Sequence, residues 1–113
     1  MTRRQPEAKL KSAIQRALRQ MGCWEVRMSG STYVRPGIPD LIVAVPQLDG
    51  SPARLLALEV KTDSGIVSAS QLIEIRRLRA CGAVAGVVRS VQNARHAVAR
   101  LQEGAIAFFL SDA

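Results

Sequence analysis

Asp40, Glu59 and Lys61 set charge into the most hydrophobic part of the chain. Asp40 opens the run Asp-Leu-Ile-Val-Ala-Val, and Glu59 and Lys61 close the run Leu-Leu-Ala-Leu-Glu-Val-Lys. Apolar side chains would pack better at these positions, and burial of unpaired charge is costly. A divalent cation removes the conflict. Hard ions such as Mg²⁺ take oxygen ligands, often use only one or two carboxylates, and keep sites open for water and phosphate. Such an ion polarises a phosphoryl oxygen and acidifies water. Lys61, two residues beyond Glu59, can neutralise phosphate charge or position the attacking water.

This chemistry needs the two acids side by side, and a hairpin supplies that. Strands are expected over about 39–45 and 54–62, joined through Asp49-Gly50, a strong turn signal. Centring the turn there pairs residues whose numbers total 99, so Asp40 faces Glu59, with Cβ atoms about 4.5–5.5 Å apart. Pro46 and Pro52 favour a wider loop; symmetric widening keeps this register, whereas a bulge shifts it. Alternation puts Asp40, Ile42, Ala44, Leu55, Ala57, Glu59 and Lys61 on one face. Leu41, Val43, Val45, Leu56, Leu58 and Val60 form a wholly apolar second face that must be covered. The plainer alternative is an exposed Glu59–Lys61 pair and a turn aspartate after Pro39.

The flanking elements follow from periodicity and caps. A helix is expected over 6–21, with Leu10, Ala13, Ile14, Ala17, Leu18 and Met21 inward and Gly22 as its stop. Glu7 lies at the end of that stripe. Residues 23–28 alternate as a strand, and 29–37 are a loop by composition. Ser68-Ala-Ser-Gln71 reads as a capping box opening a helix to about Cys81. Residues 83–89 are a buried strand, 91–102 a last helix capped by Ser90, and 105–110 a weak strand or packed tail. The order is α-β-β-β-α-β-α. A right-handed crossover makes the last two main strands parallel, giving an α/β fold with a mixed sheet flanked by helices.

Length and composition set the bounds. One domain is expected for 113 residues, with a core that needs neither disulfide nor structural metal. No apolar run reaches membrane-spanning length, and the start lacks a signal peptide's apolar stretch, so a cytosolic protein without membrane partners is expected. Cys23 and Cys81 are expected to be buried free thiols. Arg76, Arg77 and Arg79 are expected to form a solvated helix face, and His96 a surface or half-buried position. The net charge of +7, mostly arginine, leaves a polyanionic partner open, and a site for phosphodiester chemistry would strengthen that reading.

Pro39-Asp40 followed by Glu59-Val60-Lys61 resembles the signature of the PD-(D/E)xK nuclease superfamily. The wider pattern is Gly37-Ile38-Pro39-Asp40-Leu41, Leu58-Glu59-Val60-Lys61-Thr62, Gly65, Ser68, Gln71, Gly82 and Val87-Val88-Arg89-Ser90. It is similar to the VRR-NUC (virus-type replication-repair nuclease) family over about residues 7–100, and in brevity to its stand-alone phage and bacterial members. The resemblance implies a restriction-endonuclease-like core filling residues 1–113 as one nuclease domain. It implies Mg²⁺ or Mn²⁺ held by Asp40, Glu59 and the Val60 backbone carbonyl, with Lys61 catalytic. By the same resemblance Glu7, on the first helix, and Gln71, on the helix after the motif, are catalytic as well; the plainer alternatives are a favourable charge at a helix start for Glu7 and the capping box itself for Gln71. In this sequence Ile66 and Val67 follow Gly65, where family members often carry a basic residue.

The implied activity is metal-dependent hydrolysis of DNA phosphodiester bonds, with branched, flapped or four-way DNA as substrate. Arg27, Tyr33 and Arg35 are the candidate DNA contacts, because the loop leading to Asp40 borders the site. A symmetric homodimer would widen the basic surface. The alternative is a non-catalytic nucleic-acid-binding or assembly module that keeps the nuclease fold.

Overall fold

The first helix, α1 (Gln5–Gln20), turns its apolar stripe onto a four-stranded sheet: Ile14 and Leu18 are fully buried and Ala17 nearly so. The structure, a computed structural model, describes residues 5–28, 34–105 and 110–113. The strands are β1 (Trp24–Arg27), β2 (Leu41–Val45), β3 (Arg54–Val60) and β4 (Val84–Val88), in spatial order β1-β2-β3-β4. The helices α2 (Ala69–Ala80) and α3 (Val91–Gln102) follow β3 and β4. β1, β2 and β3 pair antiparallel, and β4 pairs parallel with β3 after the α2 crossover. The expected mixed sheet flanked by helices, in the order α-β-β-β-α-β-α, is the observed one.

The central hairpin has the register that a symmetric turn demands. Leu41 pairs with Leu58, Ile42 with Ala57 and Val43 with Leu56. The faces sort as alternation requires. Leu41, Val43, Val45, Leu56, Leu58 and Val60 join Ile14, Leu18, Val98 and Leu101 in the main core beneath α1 and α3. Ala57, Ala85 and Val87 meet Ile75 of α2 in a smaller core on the opposite face. At the far end of that face, Leu55 is 63% exposed, and Trp24 lies across Ala44 from it, also open to solvent.

Several local expectations are corrected. The two hairpin strands are shorter than expected, so Asp40 directly precedes β2 and Lys61 directly follows β3. Cys23 is buried, and burial pushes its thiol up to about 11, but Cys81 is exposed. Cys81 is the C-cap of α2, past the last helical residue, Ala80, which is also exposed. Arg79 does not share the solvated helix face. It is half-buried and donates to the backbone carbonyls of Ala85 and Leu110, tying the C-terminal segment to β4. A single bridge pairs Val87 with Ser111 there, while residues 106–109 of the expected final strand lie outside the described residues.

Candidate active site

The site lies where β2 begins and β3 ends. Asp40 is 7% exposed and Glu59 2% exposed, on the same end of adjacent strands. Asp40 is held by backbone as well as by charge: its Oδ2 accepts from the Val60 N–H at 2.8 Å. Its own carbonyl accepts from the Met28 N–H at 2.7 Å, which carries the ladder from β1 past the strand end. These bonds fix the carboxylate against the β3 backbone before any ligand arrives.

Glu59 is held from α2. Gln71 Nε2 donates to Glu59 Oε2 at 3.0 Å. The same glutamine completes the capping box: its Oε1 accepts from the Ser68 N–H at 2.8 Å, and its N–H donates to Ser68 Oγ. The cap and the site are therefore one device, because fixing Gln71 at the third helical position aims its amide at Glu59. Gly37 brings the loop before Asp40 against this helix start. Its φ is +91°, and a Cβ there would lie 2.4 Å from the Ser70 carbonyl oxygen. Only glycine accepts both that backbone angle and that approach.

Lys61 Nζ lies 3.8 Å from Glu59 Oε2, with its side chain 12% exposed. Gly65 packs against its stem, 3.2 Å from Lys61 Cδ to the place a Cβ would occupy. Arg89 secures the loop between them by donating to the carbonyls of Thr62 at 2.6 Å and Gly65 at 2.8 Å. A second lysine closes the other side. Lys11, from α1, lies with Nζ 3.0 Å from Asp40 Oδ1, and its side chain is 13% exposed. Sequence reasoning missed it. The available signal was its place four residues after Glu7, on the same helix face.

Glu59 Oε1 is buried and meets no hydrogen-bond donor among the described residues. Burial, the charge of Asp40 and a hydrogen bond that a protonated Glu59 shares with the Asp40 carboxylate push Glu59 up to about 8, against partial offset from Lys61 and Lys11. An unpartnered buried carboxylate oxygen is costly unless something positive meets it. The donor set fits a hard divalent cation: two buried carboxylates, one with a free oxygen, and the Val60 carbonyl directly after Glu59. No third Asp, Glu, His or Cys completes a metal cluster with the pair among the described residues, and Glu7 lies one helical turn before Lys11 on α1.

The candidate nucleic-acid contacts are differently placed. Arg27 donates to Gln15 Oε1 and Ser12 Oγ of α1. Arg35 forms a bidentate pair with the buried Glu74 of α2, at 2.8 and 3.0 Å, which holds Glu74 below its ordinary carboxylate value. Tyr33 lies outside the described residues. His96 is exposed on α3 and takes no part in the site.

The VRR-NUC domain profile matches residues 4–92, spanning α1 to the start of α3 and including every residue of this site. The chain belongs to the VRR-NUC family. A solved VRR-NUC domain is 26% identical to it, with a TM-score of 0.66 over 82% of this chain and 94% of the other. The fold is also similar to that of Hjc, a Holliday junction resolvase from the archaeal hyperthermophile Archaeoglobus fulgidus. That match has 24% identity and a TM-score of 0.52, over 74% of this chain and 67% of the other. No curated protein matches the chain by sequence. As a VRR-NUC protein the chain carries a nuclease fold, and Asp40, Glu59 and Lys61 are gathered at one end of the sheet.

Proposed function

We propose that this VRR-NUC protein is a Mg²⁺- or Mn²⁺-dependent nuclease that hydrolyses phosphodiester bonds in DNA, its 113 residues forming one nuclease domain. The observation that carries the reading is the buried Asp40–Glu59 pair with the unpartnered Glu59 Oε1. Asp40, Glu59 and the Val60 carbonyl would hold the cation. When bound, it supplies charge neutralisation at a phosphoryl oxygen and acidifies a water.

The chain's own groups do the positioning. The Val60 N–H and Gln71 orient the two carboxylates, so little reorganisation is needed during the reaction. Lys61 is placed to neutralise a non-bridging phosphate oxygen or to orient the attacking water. Glu7 borders the entry along α1, and Arg27, Tyr33 and Arg35 serve the DNA backbone. The resolvase-like fold supports branched DNA as the preferred substrate. A homodimer would present two such sites; the exposed Trp24 and Leu55, on one row of the uncovered sheet face, support a self-contact there. Light scattering at working concentration is expected to give twice the monomer mass, and a monomer mass counts against the dimer.

The deciding experiment is a cleavage panel over single-stranded, duplex, flap and four-way DNA with Mg²⁺, Mn²⁺ or chelator. Cleavage that needs metal and is lost in Asp40→Asn is expected, with branched substrates preferred. Binding of DNA without cleavage of any substrate by the wild type would favour the non-catalytic module instead.

A further inference from the structure

The chain has sixteen cationic side chains, and only three of them are lysines: Lys9, Lys11 and Lys61. Two of the three converge on the carboxylate pair, and both are nearly buried there. Lys11 makes the closer contact, with Nζ 3.0 Å from Asp40 Oδ1, the oxygen not taken by the Val60 N–H. An ammonium in that position resembles a small cation in size and charge. A guanidinium would instead lock the carboxylate in a planar fork. The contact also has a cost for any incoming ion, because a metal sharing Asp40 Oδ1 would stand within a few ångströms of the ammonium in a poorly solvated place.

We propose that Lys11 is an internal stand-in for the metal: it holds Asp40 in the metal-free protein and is displaced from it when the divalent cation binds. Lys11 is thus a positioning residue that keeps two buried acids together when no metal is present and sets the threshold at which metal enters. Lys61 differs, because its ammonium sits at 3.8 Å from Glu59 Oε2 and does not occupy a ligand oxygen at contact distance. The inference rests on Asp40 and Glu59 being the metal ligands.

The test is Mn²⁺ calorimetry on the DNA-free wild type, Lys11→Met and Lys11→Arg. Methionine keeps the length of the stem and removes the charge. Lys11→Met is expected to bind Mn²⁺ roughly 10-fold more tightly than wild type, equivalent to about 1.4 kcal/mol, and to melt lower than wild type in chelator. Lys11→Arg is expected to bind no more tightly than wild type. Unchanged or weaker binding by Lys11→Met, with the wild type still binding, overturns the proposal but leaves the metal site standing. No binding by any of the three overturns both. A second measurement does not depend on the variants folding. The wild type labelled at lysine ¹³Cε gives three signals, and Lys11 is expected to move toward the free-lysine position as Mg²⁺ is added. A Lys11 signal that stays put while the protein takes up Mg²⁺ also overturns the proposal.

Discussion

Glu59 is the residue whose ionisation the fold opposes most openly, and pH should expose it. Its folded value of about 8 lies above the ordinary 4.5, so the metal-free folded state holds this proton more tightly than the unfolded chain does. The stability it contributes is full below about pH 4.5 and is lost as pH rises through about 8. Glu59→Gln keeps the neutral shape, so in chelator it should be more stabilising at pH 9 than at pH 5, by on the order of a few kcal/mol. Equal effects at both pH values, measured by chemical denaturation, would contradict this. Mn²⁺ affinity of the wild type should fall as pH drops below 8, because the cation must displace the proton. Lys61 makes a kinetic prediction. Lys61→Ala should lower single-turnover cleavage at saturating Mn²⁺ by roughly 10²–10³-fold with little change in metal affinity. Lys61→Arg should not restore the rate fully. Wild-type turnover by Lys61→Ala would reduce the lysine to a partner of Glu59.

Among the elements, the start of α2 matters most to the site. It delivers Gln71 to Glu59, covers Ala57 and Val87 through Ile75, and receives the loop through Gly37. Gly37→Ala meets a positive φ and a 2.4 Å approach to backbone together. It should destabilise the protein by about 1–3 kcal/mol and also slow cleavage, since the helix start must move and carry Gln71 with it. Gly82 is the control: its φ is +89°, but a Cβ there meets nothing within 4 Å. Gly82→Ala should cost about 1–2 kcal/mol of stability and leave turnover unchanged. Paired denaturation and turnover measurements decide the matter; similar turnover in both variants would mean that the close approach does not position the site.

The whole molecule is a small basic body with a net charge of +7. Two of its arginines are spent internally: Arg79 on the C-terminal segment and Arg89 on the loop after Lys61. Affinity for DNA should therefore follow the remaining surface cations and weaken steeply with salt as counterions are released. In chelator, the logarithm of the binding constant should fall linearly with the logarithm of salt concentration. An affinity that stays flat from low to moderate salt would mean that the basic surface is not the binding surface. No helix among the described residues is long and apolar enough to cross a membrane.

How much of this is legible in the sequence depends on how local the cause is. The register of β2 on β3 is legible because a turn at Asp49-Gly50 and period-2 alternation leave one pairing that keeps Leu41, Val43, Leu56 and Leu58 on one face. The same rules place Asp40 beside Glu59, and the capping box places Gln71 at a helix start. The second bond of Gln71 is less local, since it depends on where α2 docks over β3. Lys11, the Arg35–Glu74 pair and the clamp made by Arg79 have no local signature, because each joins segments far apart in the chain. A helix stripe says which side faces the sheet, but not how far the helix overhangs the strand end. That is decided by the packing of α1 beside α3 and over the sheet, which brings Lys11 to Asp40.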